Sequence, residues 1–154
     1  MTYSEDWSLG SHEPRNPLSV DAAADRHAKR LRYAVAISNS SSPDAVILMT
    51  GKSAQVEFFD ENRRAFLSFQ FQEKKPDHLF LSMATHRVFS GGNDKPTTAV
   101  TFTFQEDGSG YVREYDGATK QTVVRQIGPS DVSHHWEPYP EFGRYEGLLR
   151  RERA

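Results

Sequence analysis

Residues 65–72 read Ala65-Phe66-Leu67-Ser68-Phe69-Gln70-Phe71-Gln72, and the alternation of Leu67, Phe69 and Phe71 with Ser68, Gln70 and Gln72 decides the fold class. Period two is the signature of a strand with one face in a core and the other toward water. The same grammar continues on both sides. Leu79, Leu81 and Met83 recur at period two, and Val100, Phe102 and Phe104 alternate with Thr101, Thr103 and Gln105. Tyr33–Ser38, Ala45–Thr50, Gln55–Phe59, Tyr111–Asp116 and Thr122–Ile127 supply further strand candidates, bounded by clusters of Gly, Asn, Asp, Ser and Pro. Asn39–Asp44 reads as a polar loop between two of them, and Ser90–Pro96 as the most loop-like segment.

Asp107-Gly108-Ser109-Gly110 marks a hairpin. With Gly108-Ser109 as its two-residue loop, Phe104 is expected opposite Arg113 and Phe102 opposite Tyr115, gathering the aromatic rings on one face. Before the strands, Ser19 or Asp21 caps an expected helix over Ala22–Leu31, rich in Ala, Arg and Lys. After them, Phe142, Tyr145, Leu148 and Leu149 carry the helical spacing over Phe142–Arg153. The expected fold is α+β: an antiparallel meander of about eight strands, as a curved sheet or partly open barrel, with a helix near each terminus. Residues 1–18, with Gly10, Pro14 and Pro17, read as an extended N-terminal arm, and residues 19–154 as one domain.

Composition narrows the chemistry. The 154 residues include no cysteine, which excludes disulfides, thiolate metal sites and a cysteine nucleophile. A net charge of −2 offers no concentrated positive field for nucleic acid, so no nucleic-acid partner is expected. No run approaches the roughly 18 apolar residues of a membrane helix, and Met1–Asn16 has no apolar core of a secretory signal. The expectation is therefore a cytoplasmic protein without a membrane partner.

Each catalytic or cofactor motif fails on its own terms. Val46–Ser53 runs into Gly51-Lys52-Ser53 like a phosphate-binding loop, yet it lacks the first glycine and leads into a strand. His78 and His86 sit eight positions apart, about 27 Å along one strand at roughly 3.3 Å per residue, too far to share a metal. Gly108-Ser109-Gly110 lacks the spacing of a nucleophile elbow. No catalytic residue, cofactor or metal ligand is assigned, and a non-catalytic protein is favoured over an enzyme.

What remains is recognition chemistry. The expected register sets Arg113 between Tyr111 and Tyr115, where it either stacks on tyrosine or anchors a carboxylate or phosphate. Trp136 and Tyr139, beside His135, belong to an aromatic segment that closes the sheet or docks a partner. Asn93 and Asp94 tip a polar loop. Tyr111, Arg113, Trp136, Tyr139, His135, Asn93 and Asp94 are thus the candidate protein-binding residues. Proteins of the immunity or inhibitor type, which plug a partner such as a bacterial toxin, have this general character. Asp60, Glu61, Glu106 and Asp107 would speed association with a basic partner. The alternative is a small-molecule binder or enzyme, with Arg113, Tyr115 and His86 lining a pocket in the curved sheet and Arg113 as anion anchor. Self-association through an exposed strand edge is open to such a sheet.

Overall fold

The computed structural model describes residues 1–39 and 42–153. In chain order it contains β1 (Thr2–Ser8), β2 (Glu13–Leu18), α1 (Val20–Ala28), β3 (Tyr33–Ile37), β4 (Ala45–Met49), β5 (Ser53–Phe59) and β6 (Ala65–Lys75). Then follow β7 (His78–Val88), β8 (Thr98–Phe104), β9 (Gly110–Asp116), β10 (Gln121–Ile127), a 3₁₀ turn at Ser133–His135, β11 (Trp136–Pro138) and α2 (Glu146–Leu149). Ser40 and Ser41, in the expected loop 39–44, lie outside the described residues.

Among the described residues the strands form one open antiparallel sheet of eleven strands, not about eight. Its order is β10-β9-β8-β7-β6-β5-β4-β3-β1-β2, with β11 added to β7. From β3 to β10 this is a meander, each strand paired with its neighbour in sequence. Two of the added strands come from residues 1–18. Pro14 and Pro17 sit in β2, the outermost strand, the place in a sheet where proline is tolerated.

Cross-strand pairing sorts the side chains. On the inner face, Tyr33 pairs Met49, Val35 pairs Ile47, Ile47 pairs Val56, Val56 pairs Phe69 and Phe69 pairs Ala84. Phe58, Leu67, Phe71, Leu79 and Leu81 complete that buried layer, so the alternation in residues 65–72 is the spine of the core. A bulge at Ser82 resets the parity of β7: Phe71 pairs Leu81, but Gln70 pairs Met83. Met83 therefore leaves the face it was expected to share with Leu79 and Leu81, and Ala84 takes its place.

Two elements cover the inner face. Helix α1 is capped by Ser19, whose hydroxyl accepts from the Ala22 N–H at 3.1 Å, and it presses Ala23 into the core. The second cover is the segment after β10, where Tyr145 and Leu148 join the core. The helix expected over 142–153 is a single turn at Glu146–Leu149. Beyond it the chain stays irregular and delivers Arg153, only 4% exposed, over the rings of Phe71 and Phe69 at 5.0 and 5.7 Å. Its guanidinium donates to Glu137 Oε1 at 2.7 Å and to the carbonyls of Gly147 and His134. Arg150 adds a second bond to the same Glu137 oxygen, 2.7 Å. A buried arginine needs this density of acceptors, and a Cβ on Gly147 would stand 2.5 Å from Glu137 Oε2.

The outer face is covered from β3 to β6, where Glu57 and Ser68 are buried, and again at Phe80 beneath Trp136. Hairpin β1–β2 leaves β3 and curls back across that face. Its tip reaches the β5–β6 turn, where Arg63 donates to the His12 carbonyl and His12 packs edge-on against Phe59. Ala34, Ala36 and Val46 are buried on this side.

Candidate docking surface

Two strands, β9 and β10, lie largely outside both covers. The main core cluster takes no residue from β9 or β10. Val112 is the single buried residue of β9, and β10 is exposed except at Ile127. Strands β9 and β10, joined to the core through the half-buried β8, thus form a wing whose outer face, and whose inner face outside Val112, are open to solvent.

The hairpin that builds the wing turns differently from the sequence expectation. Phe102 pairs Val112, Phe104 pairs Gly110, Thr101 pairs Arg113 and Ala99 pairs Tyr115. The loop is 105–109, closed by a 2.8 Å bond from the Gln105 N–H to the Ser109 carbonyl. Asp107 Oδ1 accepts from both the N–H and hydroxyl of Ser109, bonds that hold its carboxyl below the usual range. The register is three residues away from the two-residue-loop pairing. Because three is odd, the faces change: Tyr111, Arg113 and Tyr115 lie opposite Phe102 and Phe104, on the outer face beside Thr101 and Thr103. Gly110 permits the close pairing, since a Cβ there would meet the Thr103 carbonyl oxygen at 2.1 Å.

Tyr111, Arg113 and Tyr115 therefore share one exposed row. Alternate residues on a strand lie about 7 Å apart, so the rings flank the guanidinium at arm's length. Among the described residues Arg113 has neither an ion pair nor a hydrogen bond. Asn93 and Tyr115 both line a surface cleft of about 500 Å³ with Pro96, Thr98 and Lys120, so one end of the row meets the 90–97 loop. Asp94 lies exposed in that loop.

The other candidates are placed elsewhere. Trp136 packs on Phe80 with ring centroids 4.9 Å apart, and Lys75 Nζ stands 4.4 Å over it. His135 is buried edge-to-face against Phe104, its Nδ1 3.3 Å from the Leu81 carbonyl, and burial lowers its pKa. Tyr139 lies under the Arg30 guanidinium at 3.6 Å. Tyr139 packs against the inner core and His135 against Phe104, whereas Trp136 covers Phe80, which pairs Gln72 on the outer face. Of the acids expected to attract a basic partner, Asp60 is bonded to Arg64 and Asp107 to Ser109.

His86 pairs Val100 and Leu67, which sets it on the inner face, edge-on to Phe102. Arg113 and Tyr115 are on the outer face. The sheet itself separates His86 from Arg113 and Tyr115. In front of Phe69 and Phe71 the inner face is filled by Arg153.

A buried polar chain lies beneath α1. His27 Nδ1 is 2.7 Å from the Tyr33 hydroxyl, itself 3.1 Å from the Tyr145 hydroxyl. Burial raises both phenols, Tyr145 to about 12, and lowers His27. All three groups are satisfied inside the core, so their work is structural.

The surface residues that sequence reasoning passed over are Val123 and Val124, 57% and 55% exposed. A signal was present: adjacent residues of a strand point to opposite faces, so both valines can be buried only when both faces are covered. Among the described residues no group of three or more His, Asp or Glu side chains is arranged to hold a metal, and no helix is long and apolar enough to cross a membrane. No family model, no curated protein and no solved structure matches the chain.

Proposed function

We propose that this protein is a non-catalytic binding domain that docks a protein partner on the outer face of the β9–β10 wing. The observation that supports it most directly is the row Tyr111-Arg113-Tyr115. Among the described residues, two half-exposed tyrosines flank a cation with no ion-pair partner, on a strand backed by the buried Val112. Tyrosine and arginine are the side chains that dominate interface energetics, because each combines a large apolar area with directed polar groups. The matching partner surface carries a carboxylate between apolar groups that seat on the rings, with Asn93 and Asp94 at the rim. An immunity- or inhibitor-type role falls within this reading, since it needs only that the docked partner be disabled.

Site-specific photo-crosslinking tests it. A photoreactive residue is placed at Tyr111, at Tyr115, and at Asp21 on α1 as a control on the far cover of the sheet. A discrete adduct of one mass from the two wing positions, absent from Asp21 and lost on Arg113→Glu, is the expected result. Adducts absent from the wing, or equal from all three positions, would overturn the reading.

A further inference from the structure

The two edges of the sheet are built differently. The β2 edge carries Pro14, Pro17 and Arg15, and Asn16 adopts a left-handed φ of 53°, all features that discourage another strand from joining. The β10 edge, Gln121–Ile127, has no proline, no glycine and no bulge, and it pairs β9 in unbroken register. One edge is blunted and the other is left open.

The hydrogen-bond parity of the open edge follows from the hairpin. The Gln105–Ser109 bond means that odd-numbered residues of β9 bond to β8 and even-numbered ones to β10. Through the register Glu114–Val123 and Val112–Arg125, odd residues of β10 are consumed by β9. Thr122, Val124 and Gln126 therefore turn their N–H and C=O groups outward. Three evenly spaced donor–acceptor pairs, centred on Val124, match their own image under a two-fold rotation.

We infer that the outer edge of β10 pairs antiparallel with the same edge of a second copy of this chain, across a two-fold axis at Val124. In that register Val124 faces Val124 of the second copy, Thr122 faces Gln126, Gln121 faces Ile127 and Val123 faces Arg125. All seven residues of β10 are engaged, and no charge meets its like directly. Arg125 remains beside Glu114, its 3.1 Å partner. Moving the axis to Arg125 would set the two guanidinium groups face to face, so the charges favour the Val124 register. The exposed valines gain cover on both faces of the joined sheet. A single strand pair buries less than the roughly 1,000 Å² of a stable interface, so a reversible dimer is expected rather than a permanent one. This inference does not rest on the docking reading, which concerns the side-chain face of β9; either can fail while the other stands.

The cysteine-free chain makes the test clean, because one introduced thiol is the only one present. Thr122→Cys, Val123→Cys and Val124→Cys are oxidised mildly at equal concentration. A hydrogen-bonded antiparallel pair holds its Cα atoms about 5.5 Å apart, inside the range of a disulfide. Val123 and its copy are offset to roughly 8 Å and Thr122 to roughly 14 Å. Disulfide dimer is expected to form at least about tenfold faster at Val124 than at the other two sites. In parallel, the sedimentation mass of the wild-type chain should rise with concentration and that of Val124→Pro should not. The only hydrogen-bonding group that variant loses is an outward N–H, and an edge strand tolerates proline there, so its circular dichroism should match wild type. Equal crosslinking at all three sites, a maximum elsewhere than Val124, or a wild-type chain monomeric into the millimolar range would overturn the inference.

Discussion

Glu137→Gln probes the least expected part of the core. The Glu137 carboxylate, 11% exposed, binds Arg150 and Arg153, each through 2.7 Å to Oε1. Neutralising it leaves Arg153, 4% exposed, without a counter-charge above Phe69 and Phe71. Removing one partner of a buried ion pair costs about 3–5 kcal/mol. At this chain length that lowers Tm by about 6–20 °C. Arg153→Ala is expected to cost less, about 2 kcal/mol: packing and carbonyl hydrogen bonds are lost, but Arg150 still neutralises Glu137. It also removes the Arg153 Nε, which is buried without a hydrogen-bond partner. Arg150 is half exposed, so Arg150→Ala belongs to the surface class at about 0–1 kcal/mol. Urea denaturation followed by circular dichroism gives all three values. The reasoning is refuted if Arg150→Ala costs as much as Glu137→Gln, or if Glu137→Gln costs under about 1 kcal/mol.

Stability should also respond to pH through His27 and His135, whose pKa values are lowered by burial. Their neutral forms are favoured in the fold, so the stabilisation is complete above the unfolded pKa of about 6.5 and is lost as pH falls below it. Urea midpoints should be flat from pH 7 to 8 and decline under about 6.5, with a shallower slope in the double variant His27→Gln/His135→Gln; an unchanged slope contradicts this. Asp6, held low first by its Arg32 hydrogen bond, has the acid-side sign, stabilising above 3.8 and failing only below it. Tyr33→Phe removes the hydroxyl shared by His27 and Tyr145 and should cost about 1–3 kcal/mol by the same assay. Gly108→Ala combines a φ of +87° with a Cβ that would stand 2.2 Å from the Ser130 carbonyl. A loss of at least about 2 kcal/mol is expected, and a neutral result would mean the 105–109 loop is built otherwise.

The core was legible because Leu67, Phe69 and Phe71 could be buried together only on a strand. The β8–β9 register was not. Gly108-Ser109 looks like a complete two-residue turn, whereas the Asp107–Ser109 hydrogen bonds close a longer loop, and a shift of three residues changes which face Arg113 occupies. The β1–β2 hairpin was hidden by its prolines, which signal loop in a central strand but are tolerated on an edge. Nothing local distinguishes Arg153 from its charged neighbours; Glu137, which draws it inward, lies sixteen positions away. At the wing, Arg113, Tyr111 and Tyr115 were singled out for their chemistry, while the open backbone edge of β10 emerges only once the order of strands is known.

Amide hydrogen exchange, residue by residue, tests most directly whether a covered sheet ends in an uncovered wing. At concentrations low enough to keep the chain monomeric, β3–β7 should exchange only through global unfolding. The inward amides of β10, such as Val123 and Arg125, should open locally and far sooner, while those of Thr122, Val124 and Gln126 should exchange almost freely. Protection as strong in β9 and β10 as in β5 and β6 would contradict it.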